Sequence, residues 1–147
     1  MTDTETDSEF VRYTVDIVVI DDDGRVLLIR RGWPPHKGAW ALPGGWVDPG
    51  ETSIEAGVRE LLEETGVQVS GWELDLVGVF DQPDRDPRGR YISAAYVVTV
   101  PAGTVATAGD DAADVQWRPV SAPGTLAFDH AAIISAARRQ QAQVFQR

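Results

Sequence analysis

Residues 11–20, VRYTVDIVVI, alternate at first and then become continuously apolar, the pattern of a strand that runs into a buried sheet. DDDG closes that strand as a turn, and RVLLIR at 25–30 predicts a second, shorter one. The stretch RGWPPHKGAWALPGG, 31–45, reads as a loop broken by Pro34, Pro35, Pro43 and the Gly44-Gly45 pair. GWELDLVGVF and YISAAYVVTV are two further strands around the polar loop DQPDRDPRGR, and VQWRPV is another. An alanine-rich helix begins near Asp129, with Ile133, Ile134 and Ala137 turned inward. Strands outnumber helices and do not alternate with them regularly, so the class is α+β with a mixed sheet.

The segment between the proline-rich loop and the third long strand predicts a helix over Ser53–Thr65. Thr52 and Glu55 form a capping box, and Gly66 supplies the stop. At about 100° per residue, Ile54, Val58, Leu61, Leu62 and Thr65 share one stripe, the expected core face. Glu60, Glu63 and Glu64 fall opposite it, and Gly57 lies one turn before Glu60, where its missing side chain would leave open space beside the carboxylates.

Composition narrows the picture. A chain of 147 residues with 43% hydrophobic and 24% charged residues suits one domain at 10–147, behind an acidic, disordered tail at 1–9. The net charge of −10 argues against nucleic acid or anionic membrane as partners. The absence of cysteine excludes disulfides and thiolate chemistry. With no signal segment and no apolar run approaching ~18 residues, a cytoplasmic location is expected.

That acidity makes the helix a puzzle. Glu51, Glu55, Glu60, Glu63 and Glu64 surround one cation, Arg59, and like charges four apart on a helix repel by roughly 0.2–0.5 kcal/mol. A solvated acidic face is the plain reading of such a helix. The interposed arginine, the preceding glycine-rich loop and the strict capping favour another: carboxylates one turn apart suit a hard divalent cation with oxygen ligands, Mg²⁺ or Mn²⁺.

Gly45, Glu51, Arg59, Glu60, Leu61, Glu63, Glu64, Gly66 and Val67 match every position of G-x5-E-x7-R-E-U-x-E-E-x-G-U, where U is apolar. The segment thereby resembles the signature of the Nudix hydrolases. The resemblance implies an α/β/α sandwich and hydrolysis of a nucleoside diphosphate linked to a further moiety. It implies Glu60, Glu63 and Glu64 as metal ligands with the Gly44 carbonyl, Glu51 as the holder of Arg59, and Arg59 as the residue that orients the glutamates. ALPGGWVDPGE, DRDPRGR and LAFDH are similar to the small members acting on ADP-ribose. The partners so implied are a small-molecule nucleotide and, for a homodimer, a second copy of the chain.

Outside the signature, an anionic substrate needs cations in so acidic a chain. Arg85, Arg88 and Arg90 supply a cluster, with Arg30 as a further candidate; a solvated hairpin loop is the alternative. Trp46 and Phe80, with Trp33, are candidates to stack a base, though such aromatics also serve as packing. Asp111, among Asp110, Asp111 and Asp114, is the candidate general base, a role that a signature glutamate could also fill. His36 and His130 match no catalytic position. Two rival functions are weighed: a house-cleaning nucleoside triphosphate pyrophosphohydrolase, which would share every signature residue, and an ADP-ribose-sensing module, whose signature is commonly degraded where this one is intact and for which no room for a DNA-binding domain is expected.

Overall fold

Strand β1 (Val11–Asp21) carries both faces of the molecule on one segment. Val15, Ile17 and Val19 join one buried cluster with Ala56 and Leu61, whereas Val18 and Ile20 join a second with Ile133, Ile134 and Ala137. Successive side chains of a strand point to opposite faces, so a strand covered on both sides needs apolar residues at consecutive positions. That is why DIVVI loses its alternation.

The computed structural model describes residues 8–109 and 111–145, so Asp110 and most of the acidic tail lie outside the described residues. After β1 come β2 (Arg25–Arg31), β3 (Trp40–Ala41), β4 (Gly44–Trp46), α1 (Ser53–Thr65), β5 (Asp75–Phe80), β6 (Arg90–Val100), β7 (Ala112–Pro119) and α2 (His130–Phe145). The strands form one seven-stranded sheet in the order β3-β2-β1-β6-β5, with β4 paired to β1 and β7 to β2. β1 and β6 run parallel from Val11↔Arg90 to Asp21↔Val100, and the other pairings are antiparallel. α1 packs over one face and α2 over the other, making an α/β/α sandwich around a mixed sheet. Among the described residues no helix is long and apolar enough to cross a membrane.

The proline-rich stretch is not the plain loop that its breakers predict, because it contains β3 and β4. β4 pairs with β1 at Thr14↔Trp46, Val15↔Gly45 and Asp16↔Gly44. The approach is so close that a Cβ at Gly44 would collide with the Val15 carbonyl oxygen. Glycine here serves strand contact rather than a turn.

α1 has the predicted ends. Thr52 Oγ1 accepts from the Glu55 N–H at 3.1 Å, Glu55 Oε1 accepts from the Thr52 N–H at 3.0 Å, and Gly66 closes the helix at φ 72°. Its buried face is rotated from the predicted one. Leu61 and Thr65 are fully buried as expected, but Ile54 and Leu62 are 37% and 46% exposed, while Ala56, Gly57 and Glu64 are buried. Glu64 therefore sits at the edge of the packed face rather than opposite it. Gly57 does not open space beside the carboxylates either, since a Cβ there would lie 2.8 Å from Ile17 Cδ1 and 3.3 Å from Leu74 Cδ1. The glycine lets the helix settle on the sheet. Gly57→Ala gains about 0.8–1.0 kcal/mol of helix propensity against about 1–3 kcal/mol of overpacking. The expected outcome is a lower melting temperature with unchanged kcat; a higher melting temperature would contradict this packing.

Candidate active site

Where α1, the β4 region, the end of β2 and the loop before β6 converge, they enclose a cleft of about 260 Å³. Its lining carries both charges. Glu60, Glu63 and Glu64 of α1 line it with Asp86 and Asp111, and so do Arg31, Arg85 and Arg88 with Tyr91 and Phe128. Asp16 of β1 and His130 of α2 also line it, as do Trp33 and Trp46.

Arg59 organises the acidic side. Its Nε and Nη2 donate to both oxygens of Glu51 at 2.7 and 2.9 Å, Nη1 donates to Glu60 Oε1 at 2.8 Å and Glu63 Oε2 at 3.2 Å, and Nη2 also donates to the Trp46 carbonyl at 3.0 Å. The Arg59 hydrogen bond, with help from the Asp48 N–H, holds the Glu51 carboxyl down at about 2. The same contact with Glu51 is the largest influence raising Arg59, so its charge is fixed at any working pH. Glu60 is pushed the opposite way, because burial outweighs its hydrogen bond to Arg59. Gly45 packs against that carboxylate, as a Cβ there would come within 2.6–2.8 Å of its carbon and oxygens.

Glu64 lies outside the reach of Arg59. Its Oε1 accepts only the Gly44 N–H, at 2.8 Å. Burial pushes this carboxyl up to about 8; the Gly44 N–H works against the shift, and Glu60, Asp16 and Asp111 add to it. A buried carboxylate that lacks a cation beside two others is a site with unmet demand for positive charge. The all-oxygen donor set of Glu60, Glu63, Glu64 and the Gly44 carbonyl fits a hard dication such as Mg²⁺ or Mn²⁺. The oxygens are not drawn together: Glu60 and Glu63 are turned onto Arg59, and among the described residues no three His, Asp or Glu side chains converge closely enough to hold a metal ion.

The arginines of the 81–90 loop differ from the picture of a cluster aimed at substrate. Arg85 has a side chain only 4% exposed and donates both edges of its guanidinium to Asp129, at 2.9 and 2.7 Å, with Asp16 at 3.7 Å. Burial works against its charge, but Asp129, Asp16 and Asp86 outweigh it and the net shift is upward. Arg88 is held by Asp86 at 3.0 and 2.7 Å and lies 4.6 Å over the Tyr91 ring. Arg90 does not line the cleft; it opens β6 and reaches Glu9 at 3.3 Å. Arg30 does not line it either, as its Nε donates to the Gly38 carbonyl at 3.3 Å. Phe80 is part of the core under α2 and not a stacking surface on the cleft. Trp46 does border it, 45% exposed, edge-on to Tyr91 at 6.1 Å and under Arg12 at 5.1 Å.

Sequence reasoning missed Arg31, Asp16 and His130. Strand parity is the signal for the first, since Ile29 and Arg31, two residues apart on β2, both line the cleft while Arg30 does not. His130 Nδ1 accepts from the Leu42 N–H at 2.9 Å, which puts the ring proton on Nε2, 3.4 Å from Asp16 Oδ1. Burial lowers its pKa, so the ring is neutral. Asp16 Oδ2 accepts from Ser93 Oγ at 2.6 Å. No local pattern marks Asp16 and His130, because their contacts join β1, β6 and α2 across most of the chain.

A sandwich whose signature helix presents three glutamates to a cleft, steadied by one arginine, is the arrangement that the Nudix resemblance implies. A NUDIX domain profile matches residues 11–137, and the chain belongs to this family. It is 46% identical over 116 residues to the ADP-ribose pyrophosphatase of Methanocaldococcus jannaschii, covering 79% of this chain and 67% of that protein. The NUDIX domain of Shewanella oneidensis NrtR, solved with ADP ribose, superposes with a TM-score of 0.83 at 28% identity, over 93% of this chain and 92% of that one. A bifunctional NMN adenylyltransferase/ADP ribose pyrophosphatase from Francisella tularensis, solved with AMP and a Mn ion, gives 0.78 at 32% identity, over 92% of this chain and 44% of that one.

Proposed function

We propose that the chain hydrolyses the diphosphate bridge of ADP-ribose, releasing AMP and ribose 5-phosphate, with Mg²⁺ or Mn²⁺ held by Glu60, Glu63, Glu64 and the Gly44 carbonyl. The observation that carries this reading is a single cleft lined both by the carboxylates of the signature helix and by arginines. A diphosphate is inert chiefly because its oxygens repel a nucleophile, and dications held by the carboxylates would lower that repulsion. The 46% identity to an ADP-ribose pyrophosphatase favours ADP-ribose over a nucleoside triphosphate.

Bound dication supplies charge neutralisation and a more acidic water. The chain's own residues supply the rest. Arg59, anchored by Glu51, keeps Glu60 and Glu63 on the cleft side of α1. The Gly44 N–H orients Glu64. The Asp111 carboxylate accepts the proton of the attacking water, and Trp33 and Trp46 offer ring faces to the adenine.

The test is a hydrolysis screen with Mg²⁺ or Mn²⁺ over ADP-ribose, NADH, nucleotide sugars, diadenosine polyphosphates and nucleoside triphosphates. ADP-ribose should give the highest kcat/KM; a nucleoside triphosphate cleaved to monophosphate and pyrophosphate at higher kcat/KM would replace this substrate. For the base, Asp111→Asn should lower kcat by roughly 10²–10⁴-fold, with an unchanged melting temperature because the residue is exposed. A kcat within about twofold of wild type would return the role to a signature glutamate.

A further inference from the structure

The backbone at 42–44 is tied to both helix layers. The Leu42 N–H donates to Nδ1 of His130, the first residue of α2, at 2.9 Å, and the Gly44 N–H donates to Oε1 of Glu64, on α1, at 2.8 Å. Between them the Pro43 carbonyl accepts from the Ile17 N–H of β1 at 2.9 Å. Proline has no N–H, so the Leu42 donor is the last one before the peptide group that meets Glu64. That group is planar, with its carbonyl fixed on β1 and its N–H aimed at the carboxylate.

His130 is held as an acceptor of fixed direction. It is almost fully buried, and burial lowers its pKa, so Nδ1 keeps its lone pair for Leu42. Nε2 lies 3.4 Å from Asp16 Oδ1, while Asp16 Oδ2 accepts from the Ser93 hydroxyl at 2.6 Å and stands 3.7 Å from Arg85 Nη2. Asp16 is also the register partner of Gly44 across β1 and β4. Groups from β1, β6 and the 81–90 loop thus fix one nitrogen of the ring, and the other nitrogen holds the strand that carries Gly44.

We propose that His130 is a positioning residue, which acts through the Leu42 N–H to set the Gly44 peptide against Glu64 and thereby sets how tightly the carboxylates hold a dication. The second half of this rests on reading Glu60, Glu63, Glu64 and the Gly44 carbonyl as the metal ligands; the first half does not. Without the imidazole, Leu42 keeps a buried N–H that has lost its acceptor, and the strand must move to satisfy it. Gly44 lies two residues on, so the movement reaches the bond that orients Glu64.

The experiment compares wild type, His130→Leu, His130→Asn and Ile133→Ala, with thermal melts to establish that each is folded. Asparagine keeps an acceptor at the place of Nδ1, and neither His130 variant has a ring, so a difference between them reads the hydrogen bond alone. Ile133 is buried under the same helix, and its truncation loosens α2 without touching Leu42. The first readout is the Gly44 amide resonance in EDTA, and the second is Mn²⁺ affinity from the free-ion signal in electron paramagnetic resonance. His130→Leu should displace the Gly44 resonance toward that of an unbonded amide and weaken Mn²⁺ about ten- to hundredfold, the usual scale for a group that orients a ligand. His130→Asn should recover part of both changes, and Ile133→Ala should lower the melting temperature and leave both readouts in place. A Gly44 resonance that is the same in His130→Leu and His130→Asn overturns the proposal. With Mn²⁺ bound by wild type, so does an affinity unchanged in His130→Leu or lowered equally in Ile133→Ala. Displacement of the resonance in His130→Leu alone, together with no wild-type affinity for Mn²⁺, upholds the positioning of Gly44 and discards the metal ligands.

Discussion

Glu64→Gln should lower kcat for ADP-ribose by about 10²–10³-fold or more, the scale of losing one preorganised electrostatic contact at the reacting group, while making the metal-free protein more stable. Both effects follow from one placement. Glu64 is 8% exposed, its carboxyl is pushed up to about 8 chiefly by burial, and Arg59 does not reach it. Its folded pKa lies above the ordinary 4.5, so the folded state holds the proton more tightly than the unfolded state does. The stability this provides is full below about 4.5 and is lost as pH rises toward about 8. In EDTA, wild type should therefore lose roughly 3–5 kcal/mol at most across that window, and Glu64→Gln should lose much less. Saturating Mg²⁺ should narrow the gap at pH 8 by favouring the ionised carboxylate. Parallel pH-stability curves in EDTA would contradict the burial argument, and near wild-type kcat with saturating Mg²⁺ would contradict the ligand assignment.

The second large effect is expected at Arg85, and it is an effect on stability. Charge counting alone makes Arg85 a substrate contact whose loss raises KM. The structure instead gives it a doubly hydrogen-bonded pair with Asp129, with Asp16 at 3.7 Å and the guanidinium almost wholly buried. Removing one partner of a buried pair leaves the other charge uncompensated and costs about 3–5 kcal/mol. For a chain of this size that lowers the melting temperature by roughly 6–20 °C. The pair ties the 81–90 loop to the start of α2, beside His130 and Asp16, so the loss falls on the frame of the cleft. Arg85→Ala with a wild-type melting temperature and a tenfold higher KM would restore the substrate contact.

These contrasts show what the chain reveals locally and what it does not. The ends of α1 were readable because a capping box and a C-terminal glycine are decided within four residues of the ends they mark. The buried face was not. Apolarity put Ile54 and Leu62 inside, whereas the helix turns Glu60 and Glu64 toward the cleft and rests Gly57 on Ile17, at the cost of exposing two aliphatic side chains. Hydrophobic patterning describes a helix that only packs, and this one also presents carboxylates. The arginines repeat the lesson. Their density in DRDPRGR was visible, but Asp129 lies forty-four positions from Arg85, and no local signal shows that this pair forms. The short strands β3 and β4 owe their existence to pairing with β2 and β1, which proline and glycine content argues against. The Nudix signature was fully readable because its chemistry lies within one loop and one helix.

The most direct test of the central claim is mass-spectrometric analysis of the products from ADP-ribose incubated with the protein and Mg²⁺ or Mn²⁺, run beside Glu64→Gln and an EDTA control. AMP and ribose 5-phosphate in equal amounts, falling to background in both controls, is the predicted result. Intact ADP-ribose under every metal condition, or the same products at the same rate from Glu64→Gln, would contradict it.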